Sequence, residues 1–279
     1  MLLTTTLGLI TALAAGAQDT TFAVSRDARL NVTNFAGTIT VGVWNRDEVR
    51  IQTDADQGTL AVSKTGSVVR VQTRGPYQHD EKIYTLTVPL WLPLELSGTE
   101  TDIVVEGNDA SITATTVDGD VTIRGGRGQV MVSSIEGDIS VDGANAEITA
   151  TSVDGDVTVS SSTGNVSAQS IDGGIELTDV TASAVKASTV DGDIYFRGPI
   201  QANGRYGLTT HDGDLTLVAG RGINATITVS TFAGEFESDF PVTIEGTTQR
   251  ERFSFTLGTG SATIALEAFD GTIRLQRGP

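Results

Sequence analysis

A short phrase returns through this chain at a fixed interval. Residues Thr116 to Ile123 read TVDGDVTI, Ser134 to Val141 SIEGDISV, Ser152 to Val159 SVDGDVTV and Ser170 to Leu177 SIDGGIEL. The central glycines, Gly119, Gly137, Gly155 and Gly173, are 18 residues apart each time. The phrase continues around Gly192, Gly213 and Gly234 at spacings of 19, 21 and 21. A fixed period of this size marks a solenoid, in which each repeat is one coil stacked on the last.

Within one repeat the apolar positions are Val117, Val121, Ile123, Val130 and Val132, and Ile135 opens the next. The alternating pairs 121/123 and 130/132 predict two short strands per coil. The same register gives Ile139/Val141 with Ile148/Ala150, Val157/Val159 with Val166/Ala168, and Ile175/Leu177 with Val185/Ala187. Stacked coil on coil, these side chains form aliphatic columns, and the valine or isoleucine that opens each phrase is expected to stack inward with them. Burying one Val or Ile is worth about 1.5 to 3 kcal/mol, so a coil holds its shape only when both neighbours cover it. Glycine supplies the positive φ of the tight corner, and aspartate bonds to nearby amides.

Spacing separates this solenoid from two others. A hexapeptide left-handed helix needs an apolar residue every six positions, but Arg127 and Ser133, six and twelve beyond Val121, are polar. A calcium-binding β-roll needs Asp-rich glycine loops at both turns, and the second turn here reads Arg127-Gly128-Gln129 or Thr163-Gly164-Asn165. The expectation is an all-β, parallel, right-handed β-solenoid of roughly 18 to 21 residues per coil, with β-rich end caps. Its segments are a signal peptide at 1–17, an N-terminal cap with the first coils at 18–100, regular repeats at 101–238, and C-terminal coils with a cap at 239–279. In the last of these, FPVTIEG, RFSFTL and ATIAL precede a final phrase, AFDGTIRL at Ala268 to Leu275, and are read as the second cap.

Composition narrows the class of function. Asp plus Glu number 35 against 18 Lys plus Arg, a net charge of −17, which repels nucleic acid and anionic lipid. There is no cysteine, so disulfides, thiolate metal sites and an acylated lipoprotein cysteine are excluded. The first 17 residues carry no charged side chain, hold an apolar stretch from Leu7 to Ala15, and end in Ala15-Gly16-Ala17, a small-x-small signal peptidase pattern. No second stretch could span a membrane as a helix. The expected location is outside the cytoplasm: periplasm, cell surface or medium.

The run FAGTITVGVWNRDEVRI at Phe35 to Ile51, YTLTVPLWLPLEL at Tyr84 to Leu96, the VDGDV repeats, and the close SDFPVTIEG with TLGTGSATIALEAFDGTIRL together resemble the bacterial "putative adhesin" β-strand-repeat family, a domain-of-unknown-function family of exported envelope proteins. The resemblance implies a β-solenoid that binds an envelope or extracellular protein or glycan, and it supplies no catalytic residues. A structural or envelope-stress-sensing component without adhesive activity is the alternative. A carbohydrate-active β-helix enzyme is a third, disfavoured because the coils lack aromatic residues for sugar stacking and Arg124, Arg127, Arg197, Arg205 and Arg221 share no repeat position.

No catalytic or cofactor residue is expected. The one candidate metal site is a calcium ladder built from the stacked corners, Asp118, Asp120, Asp138, Asp154, Asp156, Asp191 and Asp193, with Glu136, Asp172, Asp212 and Asp214 in register. Against it stands a simpler reading, in which the first acid of each pair bonds to turn amides and the second faces water. His211 replaces the corner valine beside Asp212 and is read as structural, and His79 lies in a polar loop. Function is expected where the phrase breaks, at His211, in the longer coils beyond Pro199 and in the loop from Arg74 to Lys82.

Overall fold

The structure, a computed structural model, describes residues 18–54, 59–74, 80–220, 222–242 and 252–278. The signal-like segment 1–17, His79 with the loop tip 75–79, and Arg221 lie outside the described residues. Among the described residues there are 26 strands and no helix, arranged as two sheets of 13 strands.

Each regular coil gives one strand to each sheet. Val121–Gly125, Ile139–Asp142, Val157–Ser160 and Ile175–Thr178 stack in parallel in one sheet, so that Val121, Ile139, Val157 and Ile175 stand opposite one another in turn. Arg127–Ser133, Asn145–Thr151, Val166–Gln169 and Ala184–Ser188 stack likewise in the other. The paired columns face one another between the sheets, and Val121, Ile123, Val130, Val157, Val159 and Ala168 are fully buried. The fold is a parallel β-solenoid whose core is the slab between its two long faces.

The longer coils have a local cause. Ile194 is opposite Leu215, a longer step along the chain than from Val157 to Ile175, because the loop after Arg197 adds residues before the next strand, Arg205–Asp212. The Tyr206 hydroxyl ties that loop down: it donates to the Ala182 carbonyl at 2.8 Å and accepts from the Gln201 amide at 2.8 Å. The tyrosine ring packs edge-on against Phe196 in the core, 5.7 Å between centroids.

Stacking follows chain order in the middle and departs from it at both ends. The final phrase is an internal coil, and so is ATIAL, which the sequence reading places with the cap, whereas RFSFTL lies in the edge strand Arg252–Leu257. Its strands Ala262–Asp270 and Thr272–Arg277 insert between the coil of Arg205–Asp212 with Leu215–Ala219 and the coil of Ala225–Thr231 with Glu235–Ser238. The N-terminus mirrors this arrangement. The coil of Arg29–Thr33 and Ala36–Trp44 lies between a later one, Val68–Arg74 with Glu81–Pro89, and the coil of Leu94–Ser97 with Glu100–Asn108. Period alone does not register such an exchange, because every coil presents the same alternating face to either neighbour.

Antiparallel strands cover most of the outer edges. Gln18–Ala23 pairs with Glu48–Thr53, Thr59–Thr65 with Val68–Arg74, and Arg252–Leu257 with Ala225–Thr231. They shield the solenoid ends, where bare parallel strands would offer templates for aggregation.

Candidate functional site

The corner of the repeat is built by a division of labour within five residues. In Ser152-Val153-Asp154-Gly155-Asp156 the serine is buried, and Val153, Asp154 and Asp156 are exposed. Ser152 Oγ donates to the Gly137 carbonyl one coil earlier, at 3.1 Å. Ser134 to Gly119, Ser170 to Gly155, Thr189 to Gly173 and Thr210 to Gly192 repeat the bond at 2.8 to 3.1 Å. Gly155 has φ +154°, and a Cβ there would collide with the Gly137 carbonyl. Glycine is therefore required twice over, by backbone conformation and by close approach.

This overturns the expectation that the corner valine or isoleucine stacks inward. The inward slot is small and faces a glycine carbonyl that needs a donor, so a hydroxyl fills it and the branched aliphatic residue is turned out. Val117, Ile135, Val153, Ile171 and Val190 are 39 to 52% exposed.

These side chains form one line. The Ile135 amide donates to the Val117 carbonyl at 3.2 Å, the Ile171 amide to Val153 at 3.3 Å and the Val190 amide to Ile171 at 3.3 Å. Upstream the ladder continues through Thr99 to Phe35. Downstream it runs through His211, Phe269 and Phe232, with the order of the last two set by the inserted coil. Of the ten exposed large hydrophobic side chains among the described residues, seven stand on this column.

The far end of the column is aromatic. The rings of His211 and Phe269 stack at 4.6 Å and 8°, and those of Phe269 and Phe232 at 4.7 Å and 9°. Sequence reading singled out His211 for its departure from the repeat but could not find the stack. Phe269 is distant along the chain, and only the coil insertion sets it between His211 and Phe232. Beside the rings runs a groove of 410 Å³ lined by Thr189, Thr209, His211, Phe232, Glu267 and Phe269. A separate depression of 630 Å³ lies on the outer face of the second sheet around Gly207 and Ala265, with Lys186 and Arg205 on its walls.

Two acidic rows flank the column on one side. The first row, Glu100, Asp118, Glu136, Asp154, Asp172, Asp191 and Asp212, is bridged rung to rung through its backbone, and from Asp118 on its side chains are exposed. The second row does the bonding that was expected of the first. Asp120 Oδ1 accepts from the Asp138 amide at 2.9 Å, Asp138 from Asp156 at 2.8 Å, Asp156 from Gly174 at 2.7 Å and Asp193 from Asp214 at 2.7 Å. Each second aspartate lies just before a strand, which places its carboxylate over the equivalent amide of the next coil. At the end of the row Asp214 accepts from Thr272 at 2.8 Å and pairs with Arg274 at 2.6 Å, and the two together hold its carboxyl below the ordinary value.

The acids stand in single file. Among the described residues no three His, Asp or Glu side chains converge closely enough to share a metal ion. Arg124, Arg127 and Arg197 are engaged with Glu106, Asp109 and Asp179, each 18 residues earlier. A one-coil offset was the sequence signal for these pairs, and it escapes any search for a shared motif position. No described helix is long and apolar enough to cross a membrane.

The family model described as Toastrack DUF4097 matches residues 33–276. No curated protein matches. Among solved structures the chain is similar to a "putative lipid binding protein" from Parabacteroides distasonis, at 10% identity over 93% of this chain and 96% of that one, with a TM-score of 0.50. It is also similar to a "putative adhesin" from the same organism, at 11% identity over 94% and 97%, TM-score 0.44. A "putative adhesin" from Bacteroides fragilis matches at 14% identity over 94% and 98%, TM-score 0.38. With so few identical residues, the first of these speaks for the fold alone.

Proposed function

The chain belongs to the Toastrack DUF4097 family, and we propose that it is an exported, non-enzymatic surface-interaction protein of the bacterial envelope. The observation that carries this reading is the exposed column from Val117 to Phe232. Isolated surface aliphatics are ordinary, but a continuous apolar line on a rigid ladder is the kind of patch that marks an interaction surface. The hydrogen-bonded coils beneath hold each side chain in place, so docking there orders little else. A signal-like N-terminus fits work outside the cytoplasm.

Fractionation combined with site-specific photo-crosslinking in the native cell tests this reading. A photoreactive residue at Ile171 should yield adducts in the envelope or medium fraction, and one at Thr181, exposed at the opposite corner, should yield few. Retention of the chain in the cytosol, or equal adducts from both positions, would overturn it.

A further inference from the structure

We propose that the corner column is a docking rail for a basic amphipathic helix long enough to span it, an inference that rests on the reading of the chain as a binding protein. Three observations select this occupant.

The first is that the corner backbone is already largely paired, rung to rung, within the ladder. The Val117 carbonyl accepts from both Ile135 and Glu136, at 3.2 and 2.7 Å, and the Val153 and Ile171 carbonyls are doubly used in the same way. An extended peptide gains its affinity from main-chain bonds to a free sheet edge, and no such edge exists along this column. A partner must bring a backbone already satisfied internally and bind through side chains, which is what a helix does.

The second is charge. Every rung from Val117 to His211 carries an exposed acid at the next position: Asp118, Glu136, Asp154, Asp172, Asp191 and Asp212. An apolar stripe with lysine or arginine along one flank complements an apolar column with carboxylates along one flank. The same row opposes an anionic lipid surface. A second copy of the chain would bring −17 against −17.

The third is length and shape. Val117 to Phe232 is seven strand spacings, roughly 34 Å at about 4.8 Å each, and a helix of about 22 residues covers that span. Over its last three rungs the aliphatic side chains give way to the rings of His211, Phe269 and Phe232, where the 410 Å³ groove can take a bulky apolar side chain and fix the helix in register.

The test titrates the full chain with a synthetic Leu/Lys peptide of about 22 residues whose leucines lie on one helical face. A peptide of the same composition, scrambled to remove the face, serves as control. Binding should be at least about tenfold tighter for the faced peptide and should bring it into helical form by circular dichroism. Ile135→Ser, Val153→Ser and Ile171→Ser combined should abolish that preference while the melting curve is unchanged, since all three side chains are exposed. Asp118→Asn, Asp154→Asn and Asp172→Asn combined should weaken binding and flatten its salt dependence.

Equal affinity for both peptides, or an undiminished preference in the triple serine variant, would overturn the proposal and leave only attraction of cations to an acidic protein. It would also be overturned if the triple serine change instead abolished binding to phosphatidylcholine vesicles, or dissolved a dimer seen by sedimentation. Those outcomes would assign the column to a lipid surface or to a second copy. Failure of the peptide with Ile171 crosslinks intact would remove the helix and leave the broader binding function standing.

Discussion

Ser152 donates its hydroxyl to the carbonyl of Gly137, 15 residues earlier and one coil below, and the bond recurs at each regular corner. The relationship makes serine and glycine a single device, one closing the space that the other opens. Ser152→Ala leaves a partly buried carbonyl without its donor and should cost about 1 to 2 kcal/mol. Gly155→Ala should cost more, about 3 kcal/mol, because it combines an unfavourable φ of +154° with a collision against the Gly137 carbonyl. Urea unfolding followed by circular dichroism orders the two variants; equal loss would dissolve the pairing.

Ile171 and Ile175 lie four residues apart in the same phrase and have opposite surroundings. Ile171 is 52% exposed and Ile175 is 2% exposed. Ile171→Ala should shift stability by no more than about 0.5 kcal/mol, while Ile175→Ala removes a core rung and should cost about 2 to 5 kcal/mol. Comparing their urea midpoints separates a surface column from a core column with one chemical change.

That contrast also measures how much the sequence discloses. The strand pairs 121/123 and 130/132 were legible because alternation on a slab with one buried face is a direct image of burial. The corner was not, since apolar identity predicts burial for Val117 and Ile135, and the inward hydroxyl wins through a hydrogen bond that hydropathy does not encode. The exchange of coils at both ends was hidden for another reason. A parallel rung is satisfied by any neighbour of the same register, so Phe269 could be placed beside His211 only in three dimensions. The aromatic end of the candidate site was therefore out of reach, although His211 itself was marked.

Thr101 holds the position that glycine takes in later corners, and Gly98 holds the position of the buried Ser or Thr. The swap conserves volume: a Cβ on Gly98 would collide with the Thr101 side chain. It does not conserve bonding, because Thr101 Oγ1 is buried and has no hydrogen-bond partner among the described residues. Thr101→Val keeps the shape and removes the orphaned hydroxyl, so it should stabilise the chain by about 1 kcal/mol. Gly98→Ala should destabilise it. A loss of stability in the valine variant would mean that the hydroxyl is bonded in solution.

The two acidic rows carry many carboxylates but no converging set among the described residues. Second-row oxygens from Asp120 to Asp193 are held by amides of the next coil, and first-row side chains point to solvent. Melting temperatures in millimolar calcium and in chelator should therefore coincide. A rise in calcium that disappears in an Asp118→Asn, Asp154→Asn, Asp191→Asn variant would restore the calcium ladder.

Asp214 staples the inserted C-terminal coil to the one before it. Its carboxylate accepts from the Thr272 amide at 2.8 Å and pairs with Arg274 at 2.6 Å, and these contacts hold its pKa below the ordinary 3.8. A carboxyl with a lowered folded value binds fewer protons folded than unfolded. Its stabilisation is complete above 3.8 and is lost as pH falls through the lowered folded value. Asp214→Asn retains an oxygen for the Thr272 amide and loses the charge facing Arg274. The variant should be less stable than the parent at about pH 6, and the gap should close as pH falls through the lowered folded value and the parent is protonated. A gap unchanged by that fall in pH would place the role of Asp214 in packing, with no contribution from its charge.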